Sequence, residues 1–158
     1  MDTSFERVKK SKQEWLTPPY IIKALGSFDL DPCSPTKRPW DTAKQHFTRK
    51  DNGLKQVWKG RVWCNPPYDN AGEWLEKCAK HENAIALIFA RTETNAFFEQ
   101  IWQKADAVLF IKGRLAFYHI NGKQGESAGS PSVLVAYGKA NANCLEKCKI
   151  EGKFLRVR

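Results

Sequence analysis

Five consecutive residues, Cys64-Asn65-Pro66-Pro67-Tyr68, bring together an amide, a proline carbonyl and an aromatic ring. The side-chain carbonyl of Asn65 is a hydrogen-bond acceptor that carries no charge. Pro66 has no N–H and a fixed φ, so its backbone carbonyl can be held rigidly as a second acceptor. Two such acceptors fit the two N–H groups of an exocyclic amine on a planar ring. That kind of amine is a poor nucleophile, because its lone pair is delocalised into the heterocycle. Acceptors on both N–H groups favour a pyramidal nitrogen, free the lone pair, and stabilise the positive charge that develops as a new bond forms. The reaction these groups serve is transfer of a methyl group to the ring amine. A base in a duplex must first leave the stack, and Tyr68 supplies a face on which it can lie. The plain alternative is a Pro-Pro turn that ends a strand beside an incidental Asn and Tyr.

The elements that must position these residues read as alternating short strands and helices. Val62-Trp63-Cys64 is a strand cut off by Pro66-Pro67, which puts Asn65 beyond its carboxyl end, where open α/β sheets bind ligands. Upstream, Thr17 and Pro18 read as N-cap and first residue of a helix with Ile21, Ile22 and Leu25 on one side and Gly26 as its stop. Phe28 to Asp31 alternates apolar and polar and ends at Pro32. Residues 34–56 are polar and irregular, with one helical turn expected near Ala43–Phe47. Asn70 with Glu73 has capping-box spacing before the stripe Trp74, Leu75, Cys78 and Ala79. Ala84–Phe89 is unbroken apolar sequence, as in a central parallel strand covered on both faces. A helix from Thr94 to Gln103, an apolar strand Ala107–Ile111, a polar Asn121–Ser130 loop and a last strong strand Val133–Tyr137 follow, before a basic tail over 139–158. The order implies one α/β domain over 1–158 with a mainly parallel sheet.

The chain has 158 residues, of which 42% are hydrophobic and 12% aromatic, enough for one core and against intrinsic disorder. No apolar run approaches the roughly 20 residues that span a bilayer, and Met1–Ser4 opens no leader pattern. Lys and Arg number 26 against 17 Asp and Glu, a formal charge of +9 that calls for a polyanionic partner or a solvated basic surface. Five scattered cysteines, Cys33, Cys64, Cys78, Cys144 and Cys148, suit buried reduced thiols in a cytoplasm better than a disulfide framework. Their spacing, with His46, His81 and His119 far apart, is not that of a zinc site, and no metal is expected.

Asn65-Pro66-Pro67-Tyr68 matches the amino-group methyltransferase motif in its adenine-type form, and further segments fall in the order of one family. Trp15-Leu16-Thr17-Pro18-Pro19 resembles an opening W-x-T-P segment, and Leu30-Asp31-Pro32-Cys33 an Asp-Pro cofactor strand. Phe47-Thr48 through Asp51-Asn52-Gly53-Leu54 to Trp58, then Ala90–Thr94, then Gly113-Arg114-Leu115-x-Phe117, complete the likeness over about residues 13–137. The family is the phage-type DNA N6-adenine methyltransferases, the Dam family of phages and prophages. The resemblance implies a minimal Rossmann-like domain, its mainly parallel sheet with an antiparallel end, that uses S-adenosylmethionine to methylate the N6 amine of a flipped adenine in double-stranded DNA, in the cytoplasm of a bacterial host. Asn65, Pro66 and Tyr68 then take the roles derived above, with Pro67 as rigid scaffold. Thr17, Pro18, Asp31, Pro32 and Cys33 line the methionine end of the cofactor, and Asp51 its adenosine end. The chain departs from the pattern twice. Ser34-Pro35 stands where a glycine-rich turn usually follows the cofactor strand, and Gly129-Ser130-Pro131 stands where the family often has Pro-Phe-Pro.

Charge placement accords with that substrate. Between Lys37 and Arg61 lie eight Lys or Arg against Asp41 and Asp51, a surplus of six out of nine, interleaved with Trp40, Phe47 and Trp58. Lys37, Arg38, Lys44, Arg49 and Lys50 are candidate phosphate contacts, and Arg91 and Arg114, each just past an apolar strand, are candidate contacts to phosphate or base edges. Each arginine could instead pair with a carboxylate such as Glu93. The Asn121–Ser130 loop is either a target-recognition segment or an ordinary connection. Cytosine-N4, RNA-adenine and protein glutamine methylation share the amine logic, and a non-catalytic DNA-binding module could keep the fold. A cytosine-C5 enzyme would need an activated thiolate at Cys64 or Cys33 and has no use for Asn-Pro-Pro-Tyr. Recognition sequence and oligomeric state are not legible.

Overall fold

The computed structural model describes residues 14–158, so Met1–Ser4 lie outside it. The chain runs β1 (Trp15–Leu16), α1 (Pro19–Leu25), β2 (Leu30–Asp31), β3 (Gln45–His46), β4 (Val62–Cys64), α2 (Ala71–His81), β5 (Ala84–Phe89), α3 (Asn95–Phe97), β6 (Ala107–Ile111), β7 (Ala116–His119), β8 (Gln124–Ser127), β9 (Ser132–Tyr137), α4 (Lys139–Lys147) and β10 (Gly152–Arg156). Seven strands form one sheet in the order β10-β6-β9-β5-β4-β2-β3, and β1, β7 and β8 form a second of three.

The large sheet is mixed. Its β3, β2, β4 and β5 pair in parallel, whereas β5–β9, β9–β6 and β6–β10 are antiparallel. The expected α/β class stands, and the parallel character is confined to half of the sheet. Strand β5 sits at the junction. Because the sheet is covered on both sides, side chains alternate between two cores. Val62 and Cys64 of β4, with Ala84 and Ala86 of β5, face Trp74, Leu75 and Cys78 of α2. On the opposite face Trp63, Ile85 and Leu87 meet Ile21 and Leu25 of α1 and Leu145 of α4. This double burial is why Ala84–Phe89 shows no polar alternation.

Local structure departs from the sequence expectations at several places. Helix α1 begins at Pro19, with Pro18 rather than Thr17 at the cap position and no side-chain cap. Thr17 is buried and its hydroxyl serves elsewhere. Gly26 does end this helix, at φ 91°, a conformation that costs glycine little. No helical turn forms at Ala43–Phe47, where β3 extends the sheet by pairing Gln45 and His46 with Leu30 and Asp31. Asn70 makes no side-chain cap to α2. Thr94 does cap α3, accepting from the Phe97 N–H at 3.2 Å, but the helix loosens into a π-turn over Phe98–Trp102. The polar loop Asn121–Ser130 is largely ordered as the return strand of a hairpin, with β7 and β8 paired antiparallel. The basic tail holds α4 and the edge strand β10.

Candidate active site

Parallel strands share a carboxyl end, so β2, β4 and β5 deliver Pro32-Cys33, Asn65–Tyr68 and Ala90-Arg91 to one edge of the sheet. Strand β6 runs in the same sense, through two antiparallel pairings with β9, and brings Arg114 to that edge. The fold thus brings the Asn65–Tyr68 segment, the turn after β2, Arg91 and Arg114 to one edge, though not every residue expected to meet the substrate.

Pro66 is buried, Asn65 is half-buried, and Pro67 and Tyr68 are exposed. Strand β1 pairs with β7 through Trp15–His119 and Leu16–Tyr118, and this places the next residue, Thr17, against β4. The Asn65 Nδ2 donates to Thr17 Oγ1 at 3.3 Å. Among the described residues nothing donates to Asn65 Oδ1, which is left free to accept. Tyr68 keeps 59% of its surface exposed while one face of its ring stacks on Phe89, centroids 4.3 Å apart and planes 16° from parallel. Desolvation pushes the Tyr68 phenol up to about 12, so it remains a neutral hydroxyl. Phe89, at the end of β5, is a site residue that the sequence reading missed. Its position six residues into an apolar run made it look like core.

Asp31 is nine-tenths buried or more, and both carboxylate oxygens are engaged. Oδ1 accepts from the Cys33 N–H at 3.1 Å and Oδ2 accepts from the Thr42 hydroxyl. Burial raises its pKa to about 6, against the lowering effect of those bonds and of Arg38. Thr42 also donates its N–H to His46 Nε2 at 3.2 Å, and burial, with Arg38 nearby, lowers the His46 pKa. Asp31 thus organises the turn after β2. Gly53 packs so tightly on Pro32 that a Cβ there would overlap the Pro32 carbonyl, and Trp58 Nε1 holds the Gly53 carbonyl at 2.9 Å. The D-N-G-L…W segment is therefore a clamp on the turn after β2. Asp51 within it is exposed and closes the preceding turn, Oδ2 accepting from the Thr48 N–H at 2.8 Å and hydroxyl at 3.2 Å.

Cys64 is fully buried, and that burial, with Cys78 beside it, drives its pKa well above the ordinary value. Desolvation pushes Cys33 up to about 12, with Asp31 adding to the effect. Neither is the thiolate that a cytosine-C5 mechanism needs. Among the described residues no cluster of His, Cys, Asp or Glu is placed to hold a metal ion, and no helix is long and apolar enough to cross a membrane.

The expected cationic residues divide by position. Arg49 and Lys50 follow β3 on the carboxyl side and, with Glu14, Thr36, His119, Ile120 and Asn121, line a cleft of about 590 Å³. Arg49 approaches Glu14 at 3.9 Å. Lys37 and Arg91 are exposed, and Arg114 is exposed with its guanidinium on the Gly129 carbonyl at 3.1 Å. Neither Arg91 nor Arg114 pairs with a carboxylate among the described residues. Arg38 is bound to Asp41 at 3.2 Å. Lys44 precedes β3 and lies 3.5 Å from Asp29, at the opposite end of the strands from Asn65. Arg61, at the same far end, donates to the Leu25 and Ser27 carbonyls and to Asn141, and lies over the Phe28 ring. It is a structural staple.

A methyl donor with an amino-acid end fits the donor set at Thr17. Thr17 as a residue is 3% exposed; its hydroxyl accepts from Asn65 and donates to nothing among the described residues, so its O–H awaits an acceptor such as a carboxylate. Cys33, Phe47 and Leu54 are half-buried against the core on the α2 side of the sheet, near the turn after β2, and offer apolar surface that a purine could cover. The protein-family model described as DNA N-6-adenine-methyltransferase (Dam) matches residues 5–144. Neither a curated protein nor a solved structure matches the chain.

Proposed function

This chain belongs to the DNA N-6-adenine-methyltransferase (Dam) family, and we propose that it moves a methyl group from S-adenosylmethionine to the N6 amine of an adenine flipped out of duplex DNA. The observation that carries the mechanism is Asn65, tied by its Nδ2 to Thr17 with Oδ1 free, beside an exposed Tyr68 ring backed by Phe89. Adenine lies on the open face of Tyr68. Its two N6 hydrogens are accepted by Asn65 Oδ1 and the Pro66 carbonyl, and the nitrogen lone pair turns toward the methyl donor. Bound S-adenosylmethionine supplies a methyl group on a positively charged sulfur, activated for a single displacement. Pro67 keeps the two acceptors at a fixed separation. The N–C bond would form as the donor's S–CH₃ bond breaks and its electron pair returns to sulfur, leaving a neutral thioether; both acceptors stabilise the charge on N6, and the surplus proton leaves to solvent.

Thr17, Pro18, Pro32 and Cys33 hold the methionine end of the donor, with Asp31 shaping their turn from behind, and Asp51 stands toward the adenosine end. A single minimal Rossmann-like domain over 1–158 serves both ligands, in the cytoplasm where the DNA lies. Lys37, Arg49 and Lys50 bind phosphates on one side of the base, and Arg91 and Arg114 do so on the other. Arg38 contributes less, being paired with Asp41.

Incubation with labelled S-adenosylmethionine and unmethylated duplex DNA, followed by digestion to nucleosides, tests the reading. Label in N6-methyladenine is expected. Label in a cytosine product, or transfer to RNA in preference to duplex DNA, overturns the substrate assignment. Binding of both ligands with no transfer identifies a non-catalytic DNA-binding module.

A further inference from the structure

We infer that Thr17 is a positioning residue for the catalytic amide: its hydroxyl selects the orientation of Asn65 in which Oδ1, rather than Nδ2, faces the substrate amine. The inference rests on the methyl-transfer reading above and adds a residue that acts through Asn65.

An asparagine amide is nearly symmetric in shape, and its two orientations differ by a half-turn that exchanges C=O for NH₂. For an amine acceptor the two are not equivalent. With Oδ1 forward, Asn65 accepts an N6 hydrogen; with Nδ2 forward, two donors meet and the interaction turns repulsive. Something behind the amide must prefer NH₂. Thr17 occupies that place, with Oγ1 3.3 Å from Asn65 Nδ2 and only 3% of the residue exposed, so the accepting hydroxyl is sheltered from water. A hydroxyl can donate as well as accept, and a threonine with an uncommitted proton would tolerate the wrong orientation by donating to Oδ1. Its selectivity is complete only when the proton is spent on another acceptor. The described residues offer none, and the carboxylate of the methyl donor suits the need. Thr17 therefore connects occupancy of the donor site to correct presentation of Asn65.

The placement of Thr17 explains why helix α1 starts late. A threonine spent as the N-cap of α1 would direct its oxygen to a backbone N–H of the helix. Here Pro18 takes the cap position and no side chain caps the helix, which leaves the hydroxyl for Asn65. The extended pairing of β1 with β7 then fixes the approach of Thr17 to β4.

Thr17→Val and Thr17→Ser separate this role from simple donor binding. In the ligand-free protein, the Asn65 side-chain NH₂ pair, assigned by its loss in Asn65→Ser, is expected to shift in the ¹⁵N–¹H spectrum of Thr17→Val and to keep its wild-type position in Thr17→Ser. With S-adenosylmethionine at saturation, as checked by calorimetry, the single-turnover rate of Thr17→Val on duplex DNA should fall by about ten- to a hundredfold, the scale on which loss of a partner that orients a functional side chain acts. Thr17→Ser should recover most of it. An unshifted NH₂ pair in Thr17→Val, a saturated rate within about twofold of wild type, or no recovery in Thr17→Ser would overturn the assignment. If wild-type protein transfers no methyl group at all, the function reading fails, while the spectrum still reports on the Thr17–Asn65 contact.

Discussion

Tyr68 lies flat on Phe89, ring centroids 4.3 Å apart, and the two residues come from the ends of neighbouring parallel strands. The register of β4 with β5 pairs Cys64 with Ala86, so Phe89 reaches past the strand end to meet a ring four residues beyond Cys64. One face of Tyr68 is thereby fixed and dry, and the other stays open. A base-stacking platform made this way resists tilting, whereas a lone exposed tyrosine does not.

Substitution should separate the two rings. Tyr68→Ala removes the platform and should lower kcat/KM about 5- to 150-fold, from a stacking contribution of about 1–3 kcal/mol per base. Phe89→Leu keeps apolar volume and loses only the aromatic pair, about 0.5–1.5 kcal/mol, so a fall of about 2- to 12-fold is expected. Tyr68→Phe should stay within about threefold of wild type, because the phenol, pushed up to about 12, is a neutral group throughout the working range. Steady-state methylation of a short duplex measures all three.

Asp31 predicts a pH dependence of stability whose sign is opposite to the usual carboxylate. Burial raises its folded-state pKa from 3.8 to about 6, so between those values the folded protein holds the proton more tightly than the unfolded chain. Its contribution is fully present below about 3.8 and is lost as pH rises through about 6, a loss on the order of 3 kcal/mol. Asp31→Asn can still accept from the Cys33 N–H and can donate to the Thr42 hydroxyl, and it has no charge to bury. Denaturant unfolding from pH 4 to 7 should show the variant gaining on wild type as pH rises, with little difference at pH 4. A constant difference across that range would place the titration elsewhere.

Gly53 links the clamp to the turn after β2, the proposed border of the donor site. A methyl group at this position would drive into the Pro32 carbonyl and crowd the Trp74 ring, so Gly53→Ala must move the β2 turn or the clamp. Overpacking of this kind costs about 1–3 kcal/mol. The expected signature is a loss of stability together with weaker S-adenosylmethionine binding by calorimetry, since the displaced segment carries Pro32 and Cys33. Stability lost with donor affinity intact would mean that the turn does not border the donor.

The α/β class, the strand before Asn65 and the double burial of Ala84–Phe89 were legible because each rests on local pattern: an apolar run, a proline stop, a strand-length interval. Thr17 was legible as a residue and misplaced in role, since a Thr-Pro pair looks like a helix cap in any sequence, and only the pairing of β1 with β7 reveals that the hydroxyl turns away. Phe89 was hidden for a similar reason, its partner being distant in sequence order and near only through sheet register. An antiparallel end was expected, but its extent and the strand that begins it were out of reach. Nothing in Val133–Tyr137 states that it inserts between β5 and β6 in the reverse direction. Charge was read as a block over residues 37–61, but the fold splits it between the two ends of β3.

That split gives the last prediction. Arg49 and Lys50 stand on the carboxyl side of the sheet beside the cleft toward Asn121, whereas Lys44 sits on Asp29 and Arg61 on backbone carbonyls at the far side. Each phosphate contact removed should reduce the steepness of log K against log salt by about 0.9. Lys50→Gln and Arg49→Gln are therefore expected to flatten the salt dependence of duplex binding, singly by about that amount and together by about twice it. Lys44→Gln should leave the slope unchanged, its partner being a carboxylate on the protein. Arg61→Lys cannot rebuild contacts with two carbonyls and Asn141 at once, so it should lower unfolding free energy by about 1–3 kcal/mol with no change in slope. Fluorescence anisotropy over a salt series, run beside chemical unfolding, reads both quantities on the same variants. A slope that falls with Lys44→Gln as much as with Lys50→Gln would place the DNA across both ends of the strands and displace it from Asn65.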